Sequence, residues 1–192
     1  MLTNTGLIGY LVICVGTVSM VVGLCGVHRA CADSMNLYFS VVAGADQTSF
    51  FITRSSLEFD PPLINPLGWV DVTYILTDTD GDGATLQGLG SNGGAFLAQY
   101  NGYAGAPGGP QGTTFAEGIF SMTAEPYQTV TATFEIPAVT IEGTIKDISL
   151  LAHFELSAFD TAQGSCDYSI IPEPATLVLW LLACIAVKTR SR

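Results

Sequence analysis

Basic side chains are scarce in this chain of 192 residues. Six lysines and arginines stand against seventeen acidic residues, and half of the six are Lys188, Arg190 and Arg192. Between residues 33 and 171 only Arg54 and Lys146 remain, so this segment is strongly acidic. An acidic surface repels phosphate backbones and anionic lipid headgroups. We therefore expect no nucleic-acid partner, whereas cations and neutral polymers such as polysaccharides remain compatible with the segment.

Cysteine is also sparse between residues 33 and 171, where Cys166 is the single example. A disulfide within the segment is therefore excluded, and Cys166 either pairs with another chain or has no role. The same residues lack a sustained helical period, a zinc-ligand spacing and a phosphate-binding glycine loop. His153 is the one histidine there and is expected on a solvated strand face. Because these residues define no active site, we expect no enzymatic activity.

Alternating apolar and polar residues predict β-strands in the middle of the chain, because a period of two places one face in a core and the other in water. Four strands are clear, with core faces made of Leu37, Phe39 and Val41; of Val70, Val72, Tyr74 and Leu76; of Val130, Ala132, Phe134 and Ile136; and of Ile148, Leu150, Ala152, Phe154, Leu156 and Ala158. The last strand is expected to turn Ser149, Leu151, His153 and Glu155 outward. Weaker patterns predict strands at 49–53, 94–100, 113–122 and 165–171.

Many short strands separated by Gly, Pro and Asp turns favour an all-β fold, an antiparallel sandwich or jelly roll. Residues 33–171 are numerous enough for one domain with its own core. The glycine-rich stretch 88–112 is interpreted as long surface loops around one short strand, a mobile connection rather than a binding loop.

The sharpest local motif is Asp78-Thr-Asp80-Gly-Asp82-Gly83. It matches the first half of a calcium loop, in which alternate aspartates converge on the cation and a glycine permits the sharp turn. The carbonyl of Ala84 fits the next ligand position, but Leu89 stands where a bidentate glutamate belongs. The motif therefore predicts a calcium site completed by a carboxylate from elsewhere. The alternative is an acidic hairpin turn, since Asp-Gly is a strong turn signal.

Trp69 is the candidate for a carbohydrate contact. It is expected on the outward strand face with Asp71 and Thr73, where its ring could stack on a sugar or pack under a loop. A pair of carboxylates could in principle hydrolyse a glycoside. The acidic residues are too many and too scattered for the sequence to assign such a pair.

The N-terminal end is apolar from Gly6 to Val27 and is followed by Ala30-Cys31-Ala32. Small residues in this order are typical of a signal-peptidase site, so residues 1–32 are predicted to be a signal peptide cut after Ala32. No basic residue precedes the apolar run, whereas His28 and Arg29 follow it. An uncleaved signal anchor is therefore the alternative.

The C-terminal end combines Pro172-Glu173-Pro174, an uncharged apolar run from Ala175 to Val187, and the basic residues Lys188, Arg190 and Arg192. Cations resist entry into hydrocarbon, so the basic end is expected to stop in the cytoplasm. The thirteen apolar residues span only about 20 Å as a helix, against about 30 Å of hydrocarbon. The run is predicted to be a short transmembrane helix, with an interfacial, ordinary anchor or core helix as the alternative.

This tripartite tail, residues 172–192, resembles the PEP-CTERM sorting signal of bacterial surface and exopolysaccharide-associated proteins. The resemblance implies export, retention in the inner membrane, and processing by an exosortase that recognises Pro172, Glu173 and Pro174. It covers only the tail and leaves residues 33–171 unassigned.

We therefore expect an exported, non-enzymatic protein of the bacterial cell surface or extracellular matrix. Its expected partners are the secretion machinery, an exosortase and the membrane. The alternatives are a calcium-dependent carbohydrate-binding module that uses Trp69 and the 78–83 loop, and a weak glycoside hydrolase.

Overall fold

The computed structural model describes residues 33–54, 56–102 and 112–172, which form eleven β-strands and contain no helix. The strands are β1 (Asp33–Val42), β2 (Thr48–Thr53), β3 (Leu57–Ile64), β4 (Leu67–Thr77), β5 (Ala84–Gly88), β6 (Phe96–Tyr100), β7 (Thr113–Gly118), β8 (Ser121–Ala124), β9 (Thr129–Thr140), β10 (Thr144–Leu156) and β11 (Thr161–Ile171). Within those ranges nothing is both helical and apolar over a length that could cross a bilayer. The predicted signal helix and C-terminal helix lie outside the described residues.

The strands form two antiparallel sheets. The first has the order β1-β11-β4-β9. The second is built around β10, which pairs with β2 and β3 along one edge and with β5 and β6 along the other. β8 then pairs with β5, and β7 with β6. Every described pairing is antiparallel, so the predicted all-β antiparallel class is confirmed.

The chain alternates between the two sheets. β1, β4, β9 and β11 belong to the first sheet, and the strands that separate them in sequence belong to the second. The connections that leave and re-enter the first sheet therefore cross from one sheet to the other. Greek-key connections cross a sandwich in this way in a jelly roll.

Aromatic rings join the two sheets at the centre of the core. The ring of Phe39 in β1 lies 5.0 Å from that of Tyr74 in β4 and 5.4 Å from that of Phe154 in β10. Gly164 in β11 lies beside this cluster, where an added Cβ would approach the Phe39 ring to 2.4 Å. The core faces predicted for β1, β4 and β10 are buried as expected, whereas the β9 face is only half-buried because β9 is an edge strand.

Two residues of β10 differ from the prediction. Ser149 and Leu151 were expected to face water, but both are buried. The chain after β6 folds back over this part of β10, where the Ser149 hydroxyl donates to the Gly102 carbonyl at 3.1 Å and the Asn101 N–H donates to the Asp147 carbonyl at 3.0 Å. A central strand of a covered sheet is buried on both faces, so the alternation of burial is lost there.

Strand boundaries differ at several further positions. The predicted strand at 113–122 is two strands, since Ile119 has a positive φ of 52° between β7 and β8. Ala158 lies in the turn after β10 rather than in the strand. β3 and β5 were not predicted, and β11 begins four residues earlier than expected.

Cys166 lies in the core rather than at a surface. Its side chain is fully buried, with the sulfur 4.0 Å from the Tyr74 hydroxyl, and burial raises the pKa of the thiol to about 12. A folded copy of the chain cannot reach this sulfur, so pairing between folded chains is excluded.

The two ends of the sandwich differ in chemistry. β1 begins and β11 finishes at one end, where Asp33 pairs with Ile170; we call this the terminal end. The opposite end carries four loops, 43–47, 78–83, 125–128 and 157–160, with six acidic residues and no basic one; we call this the acidic end. The eleven residues of β4 separate the two ends by about 35 Å.

Candidate cation site

Three carboxylates converge at the acidic end. Asp78 and Asp82 belong to the loop after β4, and Asp160 belongs to the turn before β11. Oxygen atoms of the three groups lie within 4.8 Å of one another. The sandwich brings them together because Thr77 pairs with Thr161, which places the two neighbouring aspartates side by side.

Asp78 organises the loop as well as lining the site. Its Oδ2 accepts the N–H groups of Gly81, at 3.0 Å, and Tyr127, while its Oδ1 accepts the N–H of Gly83 at 3.2 Å. These donors, the Tyr127 N–H first among them, hold the pKa of Asp78 below its ordinary value. Gly81 and Gly83 have φ values of 91° and 97°, which glycine adopts without strain.

Asp160 is the residue that the sequence motif does not contain. It is fully buried, it accepts the Thr79 N–H at 3.3 Å, and it also accepts the Ser157 hydroxyl. Burial raises its pKa above the ordinary value, and the charge of Asp78 adds to that shift. No sequence signal marks Asp160, because it lies in an ordinary strand-to-strand turn far along the chain.

Asp80 is a neighbour of the converging group rather than one of its three members. Its side chain is exposed and accepts the Asp82 N–H at 3.4 Å, and its hydrogen bond and charge raise the pKa of Asp82. Leu89 follows β5, and its N–H donates to the His153 carbonyl at 2.9 Å, while Ala84 begins β5.

Three carboxylates crowd together here, and the pKa values of two of them, Asp82 and Asp160, are raised; a divalent cation would neutralise such an arrangement. Calcium binds oxygen ligands of this kind in flexible geometry. The two basic residues of the described chain, Arg54 and Lys146, belong to other regions, and the Arg54 guanidinium donates to the Asn36 carbonyl. Asp78, Asp82 and Asp160 could therefore hold Ca²⁺, with Asp80 as a nearby further carboxylate.

Trp69 does not belong to this site. It lies half-buried on the outer face of the first sheet, opposite Ser169, beside a bulge in the β4–β9 pairing. Nine residues of strand separate it from Asp78, which corresponds to about 30 Å. Trp69 and the 78–83 loop therefore cannot contact one short sugar together.

A row of carboxylates crosses the first sheet next to Trp69. Asp71 pairs with Asp167 on one side and with Glu135 on the other. Partial burial raises the pKa of Asp167, and the charge of Asp71 raises it further. Like charges directly opposite each other destabilise a sheet.

The Asp167→Asn variant is expected to melt about 1–3 °C above the parent at pH 7. A folded-state pKa above the unfolded value means that the ionised carboxyl destabilises the fold, and that this cost disappears as pH falls through the folded pKa. The difference between variant and parent should therefore shrink towards pH 3. Thermal melts across this pH range measure it, with the exposed Glu142→Gln as control. A difference that is independent of pH would contradict the assignment.

Glu117 of β7 is a polar residue that the sequence did not single out. Its carboxylate accepts the N–H groups of Asn92 and Gly94, both at 2.9 Å, and the Asn92 side-chain amide at 2.7 Å. Burial alone would raise its pKa, but these donors outweigh it and the pKa lies below the ordinary value. The carboxylate of Glu117 thus binds the glycine-rich residues 90–94 by hydrogen bonds, while residues 103–111 lie outside the described ranges.

His153 is half-buried on the outer face of the second sheet, and its ring lies 5.2 Å from that of Phe51, edge to face. Of the predicted sorting residues only Pro172 is described, directly after β11. Ala30, Ala32, Glu173, Pro174, Lys188, Arg190 and Arg192 lie outside the described residues.

Comparisons with known proteins give a distant structural likeness. No protein-family model matches the chain, and no curated protein matches it. The structure of the infectious bursal disease virus Gx strain is similar over 70% of this chain and 32% of the virus chain, at 13% identity and a TM-score of 0.36. The alignment with the VP2 subviral particle of infectious bursal disease virus covers 73% of this chain and 42% of the VP2 chain, at 12% identity and a TM-score of 0.17. The chain thus spans about a third of the length of the first virus protein.

Proposed function

We propose that this chain is an exported β-sandwich protein of the bacterial surface or extracellular matrix, without enzymatic activity, sorted by its C-terminal tail through an exosortase. One observation carries the proposal. Pro172-Glu173-Pro174, the apolar run and the basic residues follow one another directly after the last strand, which ends at Ile171.

The end of the last strand supports the proposed processing. Cleavage after Ala32 would retain all the described residues of β1, Asp33–Val42. β11 ends at Ile171, so an enzyme acting on Pro172-Glu173-Pro174 removes no residue from a strand. In the proposed role the sandwich is the stable acidic domain, and the tail is the sorting signal that directs it.

Mass spectrometry of both mature ends in a host with an exosortase tests the proposal. We expect the native chain to begin at Asp33 and to lose its basic tail. Replacing Pro172, Glu173 and Pro174 by alanine together should leave the tail intact and the chain in the inner membrane. The matched control replaces Pro126 and Glu125 in an exposed loop and should be processed normally. A native chain recovered outside the membrane with both ends intact would contradict the proposal.

The second candidate is a calcium-dependent carbohydrate-binding module. It is favoured by two exposed aromatic rings that share the acidic end with the carboxylates, since Tyr127 is 72% and Phe159 is 51% exposed. Aromatic faces suit stacking on amphipathic rings. Affinity for a panel of polysaccharides, with and without chelator, tests it. Phe159→Ala should abolish binding, whereas Trp69→Ala, about 30 Å from Asp78, should not.

A glycoside hydrolase remains the third candidate. Asp71, Asp167 and Glu135 form the carboxylate row that such chemistry would need. Turnover of a polysaccharide that disappears in Asp71→Asn would establish it in place of the non-enzymatic role.

A further inference from the structure

We propose that the sandwich stands end-on upon the lipid surface while the C-terminal tail is inserted, with the terminal end against the headgroups and the acidic end pointing away. This inference rests on the tail insertion that is part of the proposed function. It adds the surface of the folded body that contacts the phospholipid bilayer.

The connection between strand and tail is too short for another arrangement. β11 ends at Ile171 and the apolar run starts at Ala175, so three residues separate them. Extended chain covers at most about 3.6 Å per residue, which limits the distance between the Ile171 and Ala175 Cα atoms to about 14 Å. The headgroup region of one leaflet occupies roughly 5–8 Å of that distance. The terminal end is therefore held at the headgroups by a tether much shorter than the sandwich itself.

The N-terminal apolar run leaves from the same end. Asp33 pairs with Ile170, so the start of β1 and the end of β11 are neighbours in the first sheet. Five residues, 28–32, connect Val27 to Asp33. In the precursor both apolar runs therefore reach one bilayer without passing along the side of the sandwich.

The residues exposed at the terminal end suit a lipid surface. Ile64 is 67% exposed at the end of β3, and Val139 is 41% exposed near the end of β9. Both lie beside the Leu67–Ile171 pairing, since β4 starts three residues after Ile64 and Gly68 pairs with Val139. Apolar side chains at a headgroup boundary gain from leaving water.

Charge opposes the inverted arrangement. The four loops of the acidic end contain Asp46, Asp78, Asp80, Asp82, Glu125 and Asp160. Anionic lipids give a bilayer a negative surface potential, which repels such a cluster within about a Debye length. The terminal end also carries the exposed acids Asp33 and Glu142, but fewer than the acidic end. The length of the tether and the exposed apolar residues therefore select the terminal end, and the difference in charge favours it.

Fluorescence quenching by lipid tests the orientation in the chain that begins at Asp33, the form expected after signal-peptide cleavage, in which the C-terminal tail is the remaining apolar run. Cys184 is replaced by alanine, and buried Cys166 is kept. Single cysteines at Ile64, Val139 and, as the matched control at the acidic end, Glu125 then carry a fluorophore. The chain is reconstituted into vesicles of phosphatidylethanolamine and phosphatidylglycerol that contain a lipid with a headgroup nitroxide. Flotation of the vesicles measures membrane association separately.

Labels at Ile64 and Val139 are expected to be quenched at least about threefold more than the label at Glu125, because about 35 Å of sandwich separates the two ends. Equal quenching in chains that float with the vesicles would overturn the orientation and leave tail insertion intact. Chains that fail to float would overturn both.

A longer tether provides the second measurement. Inserting about twelve glycine and serine residues after Pro172 adds a flexible connection of roughly 20 Å. Flotation should be unchanged, while quenching at Ile64 should fall towards that at Glu125. Quenching that survives the insertion would overturn the short connection as the cause of the contact.

Discussion

Calcium at millimolar concentration is expected to raise the melting temperature of this protein by about 4–8 °C. The rise follows from linkage, because an ion bound by the folded state alone stabilises that state. Asp160→Asn should remove most of the effect, since Asp160 is the buried carboxylate that meets Asp78 and Asp82. Calorimetric melts with calcium and with chelator measure it.

Asp46→Asn is the matched control, because Asp46 lies in another loop of the acidic end and is not part of the converging group. It should keep the full response to calcium. The calcium-dependent rise in melting temperature should also be lost on acidification. Because the pKa values of Asp160 and Asp82 are raised, the loss should begin at a higher pH than for carboxylates with ordinary pKa values. A melting temperature that ignores calcium and chelator alike would contradict the site and favour the acidic turn.

Phe154→Ala is expected to lower the free energy of unfolding by about 3–5 kcal/mol. The ring of Phe154 is fully buried in β10 and lies 5.4 Å from that of Phe39, 5.7 Å from that of Phe50 and 6.0 Å from that of Tyr74. Its removal leaves a cavity that contacts both sheets. Urea unfolding followed by tryptophan fluorescence gives the value.

Phe51→Ala provides the comparison for the same chemical change. Phe51 lies on the outer face of β2 and is 48% exposed, so its loss should cost no more than about 1 kcal/mol. Similar losses for the two variants would contradict the two-sheet core.

The sequence predicted the core faces where alternation was uninterrupted. Val70, Val72, Tyr74 and Leu76 are all fully buried in β4, because a strand with one face on the core repeats every two residues. β3 was missed because Pro61 and Pro62 argue against a strand. In the structure β3 pairs only with β10, and an edge strand tolerates proline.

Only the part of the candidate site that lies in one loop was predicted from the sequence. The spacing of Asp78, Asp80 and Asp82 indicated a cation loop, and Asp78 and Asp82 do converge. Asp160 could not be predicted, because its approach depends on the pairing of β4 with β11, which is a property of the whole fold. Likewise, Ser149 faces away from the core, but residues after β6 cover it. Its burial could not be predicted, because the alternation of residues within β10 carries no information about a distant segment.

The scarcity of lysine and arginine in the sandwich limits where proteases can cut it. Proteases of tryptic specificity cut after lysine or arginine, and residues 33–171 contain only Arg54 and Lys146. Lys146 lies within β10, the strand that pairs along both edges, so cleavage there requires opening the second sheet. Arg54 follows the end of β2 and lies outside any strand, so cleavage of the body by such enzymes is expected there before Lys146.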